Sequence, residues 1–236
     1  MAAGIGKRMQ PLTFEIPKPL VKVNGVRMID TVVEGLRKNS IKEIYVVVGY
    51  LKNQFYEWAE GQEDIKIIEN PYYDSCNNIS SLYMARDYLR DCIILDGDQI
   101  IYNADILNPY FELSGYNAVW CEGETDEWLM NVEDGIVKSC SRTGGKHGWQ
   151  LYSISRWSAS DGEQLRKHLE QEFESGNQQI YWDDVAMFCH FEDYRLGIRE
   201  MKLSDIIEID NLDELIKIDK TYQKYKYKNH TGGHQL

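Results

Sequence analysis

The sequence predicts an α/β fold, and three features carry that reading. Short apolar runs ended by Gly or Asp alternate with amphipathic stretches through the first half. Those stretches space their apolar residues at three and four. From about residue 115 the texture changes to short strands separated by Gly-containing turns. In order, Glu43 to Gly49 and Cys92 to Asp96 read as strands buried on both faces of a parallel sheet, with Ile65 to Ile68 as a third. Met28 to Arg37 and Ser80 to Leu89 read as helices packed on that sheet. Ala118 to Glu122, Leu129 to Val132 and Leu151 to Ser155 read as strands of a smaller mixed or antiparallel part, with turns at Glu133-Asp134-Gly135 and Thr143-Gly144-Gly145. Ser160 to Phe173 reads as a helix with Ser160 as its N-cap, and Asn211 to Tyr222 as a closing helix. No repeat or Pro-rich linker divides the chain, so one domain over residues 1–223 is expected, split at about residue 114, with a polar tail over 224–236.

Composition narrows the function. The 236 residues hold 26 Lys and Arg against 38 Asp and Glu, a formal charge of −12. Nucleic acid and anionic membrane select for clustered cations, so neither is expected as a partner. No run of 18 apolar residues occurs, and MAAGIGKRMQ lacks the apolar core of a secretory signal, so a soluble, cytoplasmic protein is expected. Cys76, Cys92, Cys121, Cys140 and Cys189 form an odd set without CxxC spacing, which favours reduced thiols over disulfides or a zinc site. The histidines build no site on this reading: His147, His168 and His190 are scattered, and His230 and His234 lie in the tail. The charge is uneven. Lys7, Arg8, Lys18, Lys22 and Arg27 face only Glu15 within the first 27 residues, a net +4 that suits a small, highly charged anion.

Ala2-Ala3-Gly4-Ile5-Gly6-Lys7-Arg8 is the most informative run. A Gly-x-Gly turn lets backbone N–H groups approach a phosphate, and two cations follow at once. It is neither of the common nucleotide loops, since Met9 stands where a dinucleotide fingerprint has Gly and Arg8 where a Walker loop has Ser or Thr. Read to Thr13, and with Pro17-Lys18-Pro19-Leu20 and Val23-Asn24-Gly25, the stretch resembles the opening of the nucleotidyltransferase (nucleoside-diphosphate-sugar pyrophosphorylase) superfamily. That resemblance implies a Rossmann-like three-layer fold with a mainly parallel mixed sheet and a small acceptor-binding extension. It implies that Ala2, Ala3, Gly4, Gly6 and Lys7 wrap a nucleotide, that Arg8 holds the β- and γ-phosphates, and that Lys18 lies against the α-phosphate and the acceptor phosphate. Such proteins begin with a buried strand directly before A-A-G, where this chain has Met1. A first strand lost to truncation or to a miscalled start is therefore expected, which intact-mass analysis of the native protein would reject or support.

Leu95-Asp96-Gly97-Asp98 places two acids just after a buried strand, at the edge of the sheet that usually carries the ligand. A carboxylate there can hold Mg²⁺ together with substrate phosphates. The resemblance assigns the metal to Asp98 and, far along the chain, to Asp183 of Tyr181-Trp182-Asp183-Asp184, leaving Asp184 as a solvated or capping acid.

The chain holds 6 Trp and 16 Tyr, several beside acids. A quaternary ammonium donates no hydrogen bond, so aromatic faces and a nearby carboxylate recognise it. Asn77-Asn78-Ile79-Ser80-Ser81-Leu82-Tyr83, with Thr125-x-Glu127-Trp128 and Tyr181-Trp182-Asp183, resembles the bacterial phosphocholine cytidylyltransferases over nearly the whole chain. That closer resemblance implies CTP and phosphocholine as substrates. It puts Asn77, Asn78 and Ser81 near nucleotide or acceptor and Trp128, Tyr181, Tyr152 and Tyr83 around choline; Ser153 stands where relatives tend to carry Gly. The same chemistry with 2-aminoethylphosphonate, phosphoethanolamine or a sugar 1-phosphate is the nearest rival, followed by a glycosyltransferase and by a catalytically silent nucleotide-binding domain.

Overall fold

The computed structural model describes residues 1–228. After the glycine loop, β1 (Lys22–Val23) and β2 (Val26–Arg27) form a hairpin that enters helix α1 (Met28–Lys38). Ile29, Val32, Val33 and Leu36 bury one stripe of α1 against β3 (Ile44–Val48), and Asn39 ends the helix by donating its side-chain amide to the carbonyls of Gly35 and Ala104. Helix α2 (Asn53–Ala59) returns the chain to β4 (Ile65–Glu69), parallel to β3 from Ile44 beside Ile65 to Val48 beside Glu69. The two strands of this βαβ unit are the expected runs Glu43 to Gly49 and Ile65 to Ile68, and α2 between them is an element the sequence pattern did not announce.

The second half is built differently. Helix α3 (Ile79–Met84) leads to β5 (Cys92–Leu95) and β6 (Gln99–Ile101), then to β7 (Gly115–Cys121), β8 (Leu129–Glu133), β9 (Ile136–Ser141) and the long β10 (Gly148–Trp157). Helices α4 (Ala159–Glu174) and α5 (Trp182–Asp184) precede β11 (Gly197–Glu200), β12 (Ile206–Glu208), α6 (Leu212–Ile218) and α7 (Gln223–Lys228). Six strands make one sheet in the order β5-β10-β7-β11-β9-β8, and β10 also reaches β8. The sheet is mixed, as expected, but its parallel share is small: β11 runs parallel to β7, while β5, β7 and β8 all pair antiparallel with β10. An apolar run such as Cys92–Leu95 reads the same in either direction once both faces are covered.

Three local expectations shift. The helix expected over 80–89 stops at Met84, because Arg86 Nη1 takes the Tyr83 carbonyl that a further turn would need. The N-cap of α4 is Ser158, whose hydroxyl accepts from Asp161 N, and Ser160 lies inside the helix. The closing helix breaks at Asp219, whose carboxylate accepts from Thr221 N and Asn24 N instead of letting the turn continue. The first residues of the expected tail form α7, and the remainder, with His230 and His234, lies outside the described residues.

Of three apolar cores among the described residues, one packs Met9, Val21 and Met28 against α6, and the other two sit on either side of a seam. One joins α1, α2, β3 and β12; the other joins α3, α4 and the six-stranded sheet around Trp157, Trp182 and Tyr116. Along the seam an apolar trench of about 510 Å³ runs between β3 and β5, and residues 1–3 close its end. There Ala2 N donates to Val47 O, Tyr50 N to Ala3 O and Gly97 N to Met1 O. Among the described residues, no helix is long and apolar enough to cross a membrane.

Candidate active site

The glycine loop is held in one conformation by its own contacts. Gly6 has φ +66°, and an added Cβ would lie 3.0 Å from Thr13 Cγ2 and 3.3 Å from Lys18 Cβ. Glycine is therefore required there on two counts. Thr13 Oγ1 donates to Gly6 O at 2.8 Å and ties the loop to the turn that follows. At Gly4 an added Cβ meets nothing within 4 Å, because that residue faces open space. Ala2, Ala3, Gly4, Gly6, Lys7 and Arg8 share a cleft of about 310 Å³ with Lys18, Asn78, Ser81, Asp96, Asp98 and Asp210. The larger apolar trench borders this cleft at Met1 and Ala2, but its own lining is mostly apolar.

Lys18 is the organising cation. Its side chain is one-tenth exposed, and Nζ lies 2.6 Å from Asp98 Oδ2 and 3.3 Å from Asp210 Oδ1. Burial pulls its affinity for a proton down, but Asp98 and Asp210 outweigh this and hold it above the usual lysine value. Arg8, mostly exposed, reaches the same Asp210 Oδ1 at 2.7 Å. Sequence reading missed Asp210. It arrives with Glu208 because β12 pairs antiparallel with β6, placing Glu208 beside Gln99 and next to Asp98. The alternation Ile207-Glu208-Ile209-Asp210 is the only sequence signal for it.

Several acids in and behind this cleft are shifted. Burial pushes Asp96 up to about 6, with the charge of Asp98 adding to the shift. Burial raises Glu208 well above the carboxylate range, reinforced by Asp98 and Asp96. Asp183 is raised likewise, by burial first and then by the charge of Asp96. Asp98 Oδ1 and Asp183 Oδ1 are both buried without a hydrogen-bond partner. Two orphaned carboxylate oxygens, with Asp96 in electrostatic reach of each, are what a bound divalent cation would satisfy, so the residues present fit such an ion. Asp184 is already engaged. Its Oδ1 accepts from Arg142 Nε at 2.7 Å and its Oδ2 from Tyr181 N at 2.8 Å, so it caps α5 as expected, but it is buried rather than solvated.

The expected aromatic set divides. Trp128 and Tyr181 meet edge to face with centroids 5.9 Å apart, and Phe188, which sequence reading missed, packs on Trp128 at 5.3 Å. The Arg142 guanidinium already stands over Phe188 at 3.7 Å and near Trp128 at 5.9 Å. Tyr152 belongs to the core of the β3 layer, and burial followed by Glu208 pushes its hydroxyl up to about 12. Tyr83 stacks on Phe173 at 4.1 Å under Arg86, away from Trp128 and Tyr181. Asn78 and Ser81 reach the cleft, whereas Asn77 is used to tie its loop to residues 178–179 through Gln178 O and Gln179 O. Burial, and then the charge of Asp210, raise Glu127, next to Trp128, above the usual carboxylate value, with Arg8 acting in the opposite sense.

Residues 1–171 match the model of the MobA-like NTP transferase domain. The chain belongs to that family and is a nucleotidyltransferase. It is 36% identical to a 2-aminoethylphosphonate cytidylyltransferase of Lancefieldella rimae, over 94% of this chain and 91% of that one. It is 29% identical to a choline-phosphate cytidylyltransferase of Streptococcus pneumoniae, over 93% and 95%. A solved structure of the CTP:phosphocholine cytidylyltransferase from Streptococcus pneumoniae superposes with a TM-score of 0.86 at 29% identity, over 93% of this chain and 96% of that one. The inositol-1-phosphate CTP transferase of T. maritima, 14% identical with a TM-score of 0.74 over 100% and 96%, shares the fold. Transferases of this kind generally use a divalent metal.

Proposed function

We propose that the protein transfers the cytidylyl group of CTP to a small zwitterion with a phosphate at one end and an ammonium at the other, phosphocholine being the acceptor that the aromatic faces fit. The observation that carries this is the cleft in which the glycine loop and Arg8 meet Lys18, Asp98 and Asp210, with the Trp128, Tyr181 and Phe188 rings grouped beyond Glu127. The names of the relatives support CTP as the nucleotide.

An oxygen of the acceptor phosphate attacks the α-phosphorus of CTP in line, and the bond to the β-phosphate breaks with its electron pair leaving on pyrophosphate. The nucleophile is already anionic, so no general base is needed. What the protein must supply is positioning and countercharge. Lys18, released from Asp98 or Asp210, screens the two reacting phosphates. Arg8 and Lys7 draw the departing pyrophosphate, and the backbone of residues 2–6 cradles the triphosphate. Asn78 and Ser81 hold nucleotide or acceptor from the other side. Asp98 and Asp183 would hold Mg²⁺, which when bound neutralises phosphate charge.

A second reading rests on Arg142. Its guanidinium stands where a quaternary ammonium would sit, so choline must displace it, whereas a primary ammonium could instead be bonded by Glu127. That favours 2-aminoethylphosphonate, in agreement with the name of the 36% identical relative. Mg²⁺-dependent pyrophosphate release from CTP, measured in parallel with phosphocholine, phosphoethanolamine, 2-aminoethylphosphonate and glucose 1-phosphate, separates the readings. Turnover with phosphocholine supports the first and turnover with the phosphonate alone the second. No release with any acceptor refutes both.

A further inference from the structure

His168 and His190 are 22 residues apart in sequence, yet their rings stack with centroids 3.8 Å apart and planes within 7°. His168 projects from α4, and His190 ends the turn of π-helix Val185–Cys189 that follows α5. The next turn, Phe191–Asp193, brings a carboxylate to both rings. His168 Nε2 lies 3.6 Å from Asp193 Oδ2, and His190 Nδ1 lies 3.8 Å from the same oxygen. One ligand atom from each residue falls within 4.8 Å of the others.

The remaining ring nitrogens are occupied in a way that fixes which edge each ring presents. His190 Nε2 is 2.8 Å from Glu172 Oε1, an acceptor, which leaves Nδ1 to face Asp193. His168 Nδ1 is 2.8 Å from the Tyr194 hydroxyl, which leaves Nε2 to face Asp193. Gln164 Nε2 donates to Asp193 O at 2.7 Å and holds the carboxylate-bearing turn in place. A carboxylate or hydroxyl behind each imidazole is the arrangement that orients histidine ligands in metal sites.

We propose that His168, His190 and Asp193 form a binding site for Zn²⁺ or a similar late first-row divalent cation, with solvent at the fourth position. Two imidazoles and one carboxylate suit such an ion far better than Mg²⁺. A tetrahedral ion with bonds near 2.0 Å needs ligand atoms about 3.3 Å apart; the two spacings to Asp193, 3.6 and 3.8 Å, are close to that, and the imidazole pair must reorient to reach it. One ion cannot lie in the planes of two parallel rings, so binding turns one ring out of the stack. The bound ion clasps α4 to the segment that begins with Asp183 and Asp184.

The test uses the full chain, stripped with EDTA and titrated with Zn²⁺ by calorimetry and with Co²⁺ by its visible tetrahedral absorption. The expected result is one Zn²⁺ that raises Tm and survives in Asp98→Asn and in the double variant His230→Ala, His234→Ala. His168→Ala and His190→Ala should each weaken it by about a hundredfold, and Glu172→Gln, which keeps all three ligands, by about tenfold. His190→Gln and Asp193→Asn serve the same purpose should the alanine variants lose their fold. Zinc binding unchanged by every substitution at 168, 190 and 193 would overturn the proposal. So would loss of the site in Asp98→Asn or in the tail variant.

Discussion

The phosphate end and the aromatic group differ in how their charges are partnered. At the phosphate end Asp96, Asp98, Glu208 and Asp210 crowd Lys18 and Arg8, burial favours the neutral forms of Asp96 and Glu208, and two buried carboxylate oxygens, on Asp98 and Asp183, have no partner. At the aromatic end the cation is already present: Arg142 lies over Phe188 and is paired with Asp184. Ligand binding therefore means opposite things at the two ends. At the first, cations must be added and Lys18 must exchange a carboxylate for a phosphate. At the second, a cation must be displaced or tolerated. Unpartnered oxygens mark a place that awaits a partner, and a closed ion pair marks one that must give something up.

The most damaging change to the phosphate end is Lys18→Ala, which should lower kcat by about a hundredfold or more in a pyrophosphate-release assay. A rise in KM alone would make Lys18 a binding group and nothing more. Asp183→Asn should also remove most activity, yet it should raise the melting temperature of metal-free protein, since it removes a buried carboxylate with an unpaired oxygen, a gain of about 1 kcal/mol in stability. A lower melting temperature would mean that Asp183 is already satisfied.

At the aromatic end smaller effects should separate acceptors. Trp128→Ala should raise KM for phosphocholine by about tenfold, the worth of one desolvated cation–π contact, and leave 2-aminoethylphosphonate nearly unchanged. Arg142→Met should do the reverse for phosphocholine, lowering KM, while costing about 1–2 kcal/mol in stability because Asp184 loses its partner. Equal effects on both acceptors would erase the contrast between the two readings. The mildest test is a glycine pair. Gly6→Ala should cost about 1–2 kcal/mol for its left-handed backbone, whereas Gly4→Ala should leave Tm unchanged and raise KM for CTP.

The phosphate end was legible because it is written contiguously. Gly4 to Lys18 lies within one stretch, and Asp98 follows a recognisable strand. Glu208 and Asp210 were not, because only the register of β12 on β6 carries them to Asp98. The aromatic end was legible in composition but not in membership. Tyr83 and Tyr152 look like Trp128 and Tyr181 in sequence, and only packing assigns the first two to Phe173 and the core. Phe188 and Arg142 come in through the π-turn and the β9 end, which no local pattern announces. The histidines followed the same rule: His168 and His190 look scattered until α4 and the turn after α5 bring their rings together.

The trench between β3 and β5 has a consequence for how the protein breathes. Along β3, the amides of alternate residues turn toward β4, beginning with Ile44 N, which donates to Asp64 O. The residue between, Tyr45, turns its backbone the other way, into the apolar slot. A hydrogen-exchange experiment should therefore find a comb rather than a block along this strand, with slow amides at Ile44 and Val46 and a fast one at Tyr45, within a single buried element.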